Sequence, residues 1–119
     1  MNKHCIRKCA ILSNEAYTNT LKSLYKSKFI ENKITDTQIH IGIENNNIYV
    51  VCRGTSSYQD VITDLKIWRT KCDYLQNTLI HNGFLEQYNS IREQVYKEIK
   101  ALMKKSIKRI VFCGHSLGA

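Results

Sequence analysis

Apolar positions recur at two different periods along the chain, and the change from one to the other divides it into elements. From Cys5 to Phe29 the residues Ile6, Ala10, Tyr17, Leu21, Leu24 and Tyr25 return at helical intervals, which predicts one or two amphipathic helices with Ser13-Asn14 as the break or new N-cap between them. Between Gln38 and Glu44 the period shortens to two. Ile39, Ile41 and Ile43 alternate with His40, Gly42 and Glu44, the pattern of a half-buried strand. Asn45-Asn46-Asn47 supplies turn residues, and Ile48 to Cys52 resumes as a more continuously apolar strand, so the two segments are expected to form a hairpin whose second member lies deeper in the sheet.

After Arg53-Gly54-Thr55 the pattern weakens. Ser57 to Leu65 reads as a short helix or turn, and Leu65, Ile67 and Trp68 suggest a short strand. The helical period returns from Asn82, where Phe84, Tyr88, Ile91, Val95, Ile99 and Leu102 predict a long amphipathic helix running to about Lys105. Ile107, Ile110, Val111, Phe112 and Cys113 then form an apolar, largely β-favouring run. A helix leading into a buried strand is the crossover of a mainly parallel sheet with covering helices, so the expected class is α/β, as a single domain without linker or repeat.

The formal charge of +8 opens the question of a nucleic acid or an anionic surface as partner. The basic residues are scattered, however, and the one dense group, Lys104, Lys105, Lys108 and Arg109, falls at the end of the predicted helix, where cations complement the macrodipole. No nucleic-acid partner is therefore expected. The five cysteines show no regular pattern, and Lys3, Arg7 and Lys8 are not succeeded by an apolar segment of signal-peptide type, which points to a reducing, cytoplasmic setting. No stretch approaches the roughly 20 apolar residues of a membrane span. Cys5 and Cys9 share a helical face without a neighbouring set of His or Cys partners, so no metal is expected and buried thiols are the simpler reading.

The candidate chemistry lies in Gly114-His115-Ser116-Leu117-Gly118-Ala119, a G-x-S-x-G run directly after a strand-like segment. Such a run arises by chance on the order of a few per cent of the time in a chain of this length. Its position gives it weight. The two glycines stand two residues either side of Ser116, where a side chain would collide with neighbouring backbone if the strand turned abruptly into a helix. His115, next to the serine on a tight turn, is poorly placed to act as its base.

Three separated segments together resemble the class 3, or fungal-type, lipases of the α/β-hydrolase superfamily. Val50-Val51-Cys52-Arg53-Gly54-Thr55 is similar to the family's strand and Arg-Gly-Thr/Ser oxyanion element, with Asp60 and Asp64-Leu65 after it in the acidic stretch. His81-Asn82-Gly83-Phe84 resembles its His-x-Gly-Phe entry to the next helix, and Gly114 to Ala119 its nucleophile elbow. The resemblance implies a truncated α/β-hydrolase made of N-terminal helices, a β-hairpin, a long helix and the nucleophile strand. It makes Ser116 the nucleophile of an acyl-enzyme mechanism on acylglycerol-type esters, with oxyanion donors from the Leu117 backbone N–H and from Thr55. Arg53 and Asp64 become supports of that loop, a solvated pair, or residues without contact. His115 becomes an elbow-packing residue and His81 a structural hydrogen-bonder, and no cofactor or metal is implied.

In this family the catalytic Asp and His come after the serine in chain order. Residues 1–119 are accordingly expected to be the N-terminal part of one domain, incomplete at the C-terminus and inactive in isolation. A lipid or small ester is the expected substrate, with a downstream polypeptide to complete the fold; the alternative is a non-catalytic remnant or split-hydrolase module.

Overall fold

The computed structural model describes residues 2–54, 69–71 and 79–119. Helix α1, Lys3–Glu15, begins where the Asn2 side chain accepts a hydrogen bond from the Cys5 backbone N–H at 2.9 Å, and it buries Cys5, Lys8 and Leu12 at steps of one turn. A 3₁₀ turn, Ala16–Thr18, ends it, and Asn19 reverses the chain in the left-handed region at φ 56°. The next element is a strand, β1, Tyr25–Asn32, so the helical expectation fails beyond Thr18. Leu21 and Leu24 are buried as anchors of the connecting segment rather than as a helix face. Only Ile30 of β1 is buried, which leaves this edge strand without an alternating signal; pairing with its neighbour imposes its extended form.

The expected hairpin is present as β2, Thr37–Glu44, and β3, Asn47–Cys52. Strands β4, Arg69–Lys71, and β5, Leu79–His81, form a separate antiparallel pair, and β5 leads straight into helix α2, Asn82–Leu102. Strand β6, Arg109–Gly114, completes a sheet of order β1-β2-β3-β6. The helix or turn expected over Ser57 to Leu65, and the strand around Leu65 to Trp68, lie outside the described residues. The α/β class holds, but the described sheet is mixed. β1/β2 and β2/β3 are antiparallel, and the parallel step is β3/β6, which sets Ile48 against Ile110 and Cys52 against Gly114. The strand that emerged from the expected helix accounts for the antiparallel edge.

Alternation along the strands divides the core between two faces. Tyr49 and Val51 meet Cys5, Leu12, Ala16, Leu21 and Leu24 beneath α1. On the other face Ile39, Ile41, Ile48 and Val50 meet Ile91 of α2. Lys8, buried in the first half of α1, donates to Glu44 at 2.6 Å, and this closes the end of the sandwich remote from the elbow.

His40 is a further polar side chain of this interior. It is 2% exposed, its ring lies 4.8 Å from that of Phe29, and its Nε2 has no partner. Burial, and secondarily the charge of Arg53, lower its pKa from the ordinary value of 6.5 against the opposing effect of a hydrogen bond to the Ala16 backbone. The unfolded chain therefore binds this proton more readily than the native one. Stability should be full above pH 6.5 and should fall as the pH drops from there towards the lowered native pKa. Urea unfolding between about pH 5 and 8 should show that slope, and His40→Leu should flatten it.

Candidate active site

Strand β6 delivers the chain to the elbow. His115 is still extended at φ −125°, ψ 144°, and Ser116 then swings to φ 56°. The chain continues as a 3₁₀ turn over Ser116–Gly118, with the Gly118 N–H donating to the His115 carbonyl and the Ala119 N–H to the Ser116 carbonyl, both at 3.1 Å. A left-handed residue with a side chain costs about 1–2 kcal/mol, and surrounding contacts must hold it there. The two flanking glycines permit those contacts. A Cβ on Gly114 would meet the Gly118 carbonyl, and one on Gly118 would meet the Cys52 carbonyl oxygen and, at 2.9 Å, the Arg53 carbonyl carbon. Neither glycine has a positive φ. They are needed for space, while the strain sits on the serine.

Ser116, Leu117 and Gly118 border a cavity of about 580 Å³ between the elbow, the β1–β2 turn and the first half of α2. Ile80, Phe84, Tyr88 and Ile91 give it an apolar wall, and Asp36, Gln38 and Arg53 contribute polar atoms. Gln38 Nε2 donates to Asp36 at 2.9 Å, and an Arg53 guanidinium nitrogen donates to Asn19 at 2.8 Å. The wall is fixed to the turn by Gln87, whose amide donates to the Thr35 carbonyl at 3.1 Å, and by the Thr35 and Ser90 hydroxyls, 2.9 Å apart.

His115 is engaged elsewhere. Its Nδ1 lies 2.9 Å from the Tyr17 hydroxyl, and the two rings meet edge-on with centroids 6.0 Å apart. The 3₁₀ turn after α1 thus touches the elbow itself, which agrees with a packing role for His115. Of the other expected residues, Ser116 and Leu117 line one cavity, whereas Thr55, Asp60 and Asp64 lie outside the described residues. His81 ends β5, His4 sits 3.8 Å from Glu44 at the start of α1, and His40 is buried within β2. Among the described residues that line the cavity there is no histidine, and Asp36 is the only carboxylate. Sequence pattern gave no sign of Tyr17 as the partner of His115, because the contact joins opposite ends of the chain. It gave none of Asp36 and Gln38 either, which only the β1–β2 turn brings to the rim.

A family model described as Lipase (class 3) matches residues 49–119. This chain belongs to the class 3 lipases. The secreted mono- and diacylglycerol lipase A of Penicillium cyclopium is 30% identical over 94 residues, covering 76% of this chain and 31% of the relative. A Rhizomucor miehei lipase is 28% identical over 85 residues, covering 71% and 23% respectively. Among solved structures, a triacylglycerol lipase from Penicillium expansum superposes with a TM-score of 0.81 at 25% identity, over 94% of this chain and 48% of that one. The lipase of Rhizopus microsporus var. chinensis gives 0.76 at 24% identity over 99% and 48%, a likeness of fold. The class 3 lipase chain thus spans about a third or less of these curated relatives and about half of the solved structures.

The cytoplasmic expectation is overturned, since the matched Penicillium lipase is a secreted protein. Unpatterned thiols and a first segment without an apolar run were too weak a ground for a compartment. No helix among the described residues is long and apolar enough to cross a membrane.

The elbow geometry predicts opposite effects for two small substitutions. Ser116→Gly relieves the left-handed strain and should raise the unfolding free energy by up to about 1 kcal/mol. Gly118→Ala forces a methyl into the Cys52 and Arg53 carbonyls and should lower it by about 1–3 kcal/mol. Urea denaturation of both variants checks the pair.

Proposed function

We propose that this class 3 lipase chain carries the nucleophile half of a carboxylic ester hydrolase, with acylglycerol-type esters as substrates. The observation that carries the reading is Ser116 in the left-handed region, at the end of a parallel strand and on the rim of an apolar-walled cavity. In the proposed mechanism Ser116 Oγ attacks the ester carbonyl and forms an acyl-enzyme. The Leu117 backbone N–H and Thr55 receive the oxyanion, a pair in which loss of one donor typically costs about 100- to 1,000-fold in rate. Phe84, Tyr88 and Ile91 hold the acyl chain, since an apolar wall beside the nucleophile suits hydrocarbon better than a polar leaving group.

A proton acceptor for Ser116 and its orienting acid complete the proposal. The described cavity residues include no histidine, and the relatives extend well beyond the matched region. We assign both groups to a polypeptide segment outside the match, in the same chain or in a partner. The exposed apolar residues of β6, with Phe112 66% exposed, suit a further strand and helix at that edge.

Hydrolysis of a short-chain p-nitrophenyl ester tests the assignment. Residues 1–119 alone should show no significant turnover, and joining them to a lipase segment that supplies His and Asp should restore it. In the completed enzyme Ser116→Ala should remove activity by on the order of a millionfold. Ser116-dependent hydrolysis by residues 1–119 alone would overturn the assignment of the base, and a completed enzyme indifferent to Ser116 would overturn the nucleophile.

A further inference from the structure

On the α1 side of the elbow a second cavity, of about 750 Å³, opens between α1 and β6. Cys9 from the middle of α1 and Cys113 from the end of β6 both line it, and both pack against the core cluster beneath α1. Each of the two thiols raises or lowers the other's readiness to ionise, as Cys5 does for Cys9 and Cys52 for Cys113. All four described cysteines are free.

We propose that Cys9 and Cys113 are a redox pair that closes into a disulfide between α1 and β6. The other pairings are disfavoured by geometry. Cys5 and Cys9 stand one turn apart on α1, where Cβ atoms are about 5–6 Å apart, beyond the roughly 3.5–4.5 Å that a disulfide spans. Cys5 is also buried and receives the Tyr49 hydroxyl at 3.9 Å. Cys52 also borders this cavity, at the rim of the sheet, but it packs with the α2 cluster, whereas Cys9 and Cys113 pack with the α1 cluster. In the parallel register Cys113 lies against Val51 and Cys52 against Gly114, successive positions that alternate between the two faces of the sheet.

A low-molecular-weight disulfide such as glutathione disulfide supplies the oxidising equivalent. The Cys9 thiolate attacks one glutathione sulfur, forming a mixed disulfide and expelling a glutathione thiolate. Cys113 then gives its proton to solvent and attacks the Cys9 sulfur, forming the protein disulfide and expelling the second glutathione thiolate. Two protein thiols are oxidised and one glutathione disulfide is reduced. Burial raises both thiols, Cys113 to about 12, so the exchange is slow near neutrality and quickens as the pH rises. Once formed, the bridge clamps the helix that leads to Tyr17 onto the strand that carries the elbow.

The test equilibrates the native protein with glutathione disulfide, blocks remaining thiols with N-ethylmaleimide and maps peptides by mass without reduction. The expected product is a Cys9–Cys113 linked pair, released by dithiothreitol, with Cys5 and Cys52 alkylated once the protein is unfolded. The oxidised protein should melt about 10 °C above the reduced one, as a long closed loop gives. Cys9→Ser should abolish the linked pair and the shift without changing the melting temperature under reducing conditions. Alkylation of both Cys9 and Cys113 after prolonged equilibration at raised pH would overturn the proposal. So would a bridge joining either of them to Cys5, Cys52 or Cys72.

Discussion

The parallel pairing of β3 with β6 brings two chain segments, distant in sequence, to the same rim of the sheet. Cys52 and Gly114 lie side by side there, and the chain beyond Gly114 folds back until Gly118 rests on the Cys52 and Arg53 carbonyls. That contact admits no side chain, and with the strand register it holds Ser116 where its backbone is strained. The hairpin supplies β3 at the right depth, α1 and α2 cover the two faces, and the Tyr17–His115 hydrogen bond braces the elbow from the N-terminal side. The cavity beside Ser116 is what remains between these supports and the first turns of α2.

The two faces of the sheet bear different burdens. The α2 face is an aliphatic layer of isoleucine and valine, without a buried polar side chain among its described members. Beneath and around α1 the described residues include a buried lysine paired with Glu44, a histidine with one unpartnered nitrogen, and a group of neighbouring thiols. Polar groups in a low dielectric are held only if their partners stay in place, so this face has a narrower tolerance for movement. It is also the face that reaches the elbow through Tyr17.

How much of this was legible in the sequence depends on whether the deciding interaction was local. Ile39, Ile41 and Ile43 announced a strand because one face of β2 is buried, and Phe84 to Leu102 announced a helix for the same reason. The elbow was legible because its glycines are a local steric demand. β1 was not, because it is an edge strand with one buried residue, and the leucines before it happen to fall at helical spacing. The rim residues Asp36 and Gln38 carried no signal, since their relation to Ser116 exists only once β1 and β2 have paired. The thiol pair was equally silent. Cys9 and Cys113 approach each other only across the layer that α1 forms on the sheet.

The seat of Gly118 on the Cys52 carbonyl also bears on the order in which the molecule takes shape. The hairpin closes through a short turn and forms at small entropic cost, whereas the β3/β6 pairing must first gather the whole intervening chain. Ser116 lacks the principal support of its left-handed backbone until that pairing exists, because Gly118 has no Cys52 and Arg53 carbonyls to rest on. The elbow geometry is thus among the last features to assemble, and a chain trapped short of the native state lacks the contact that holds Ser116 in its strained conformation.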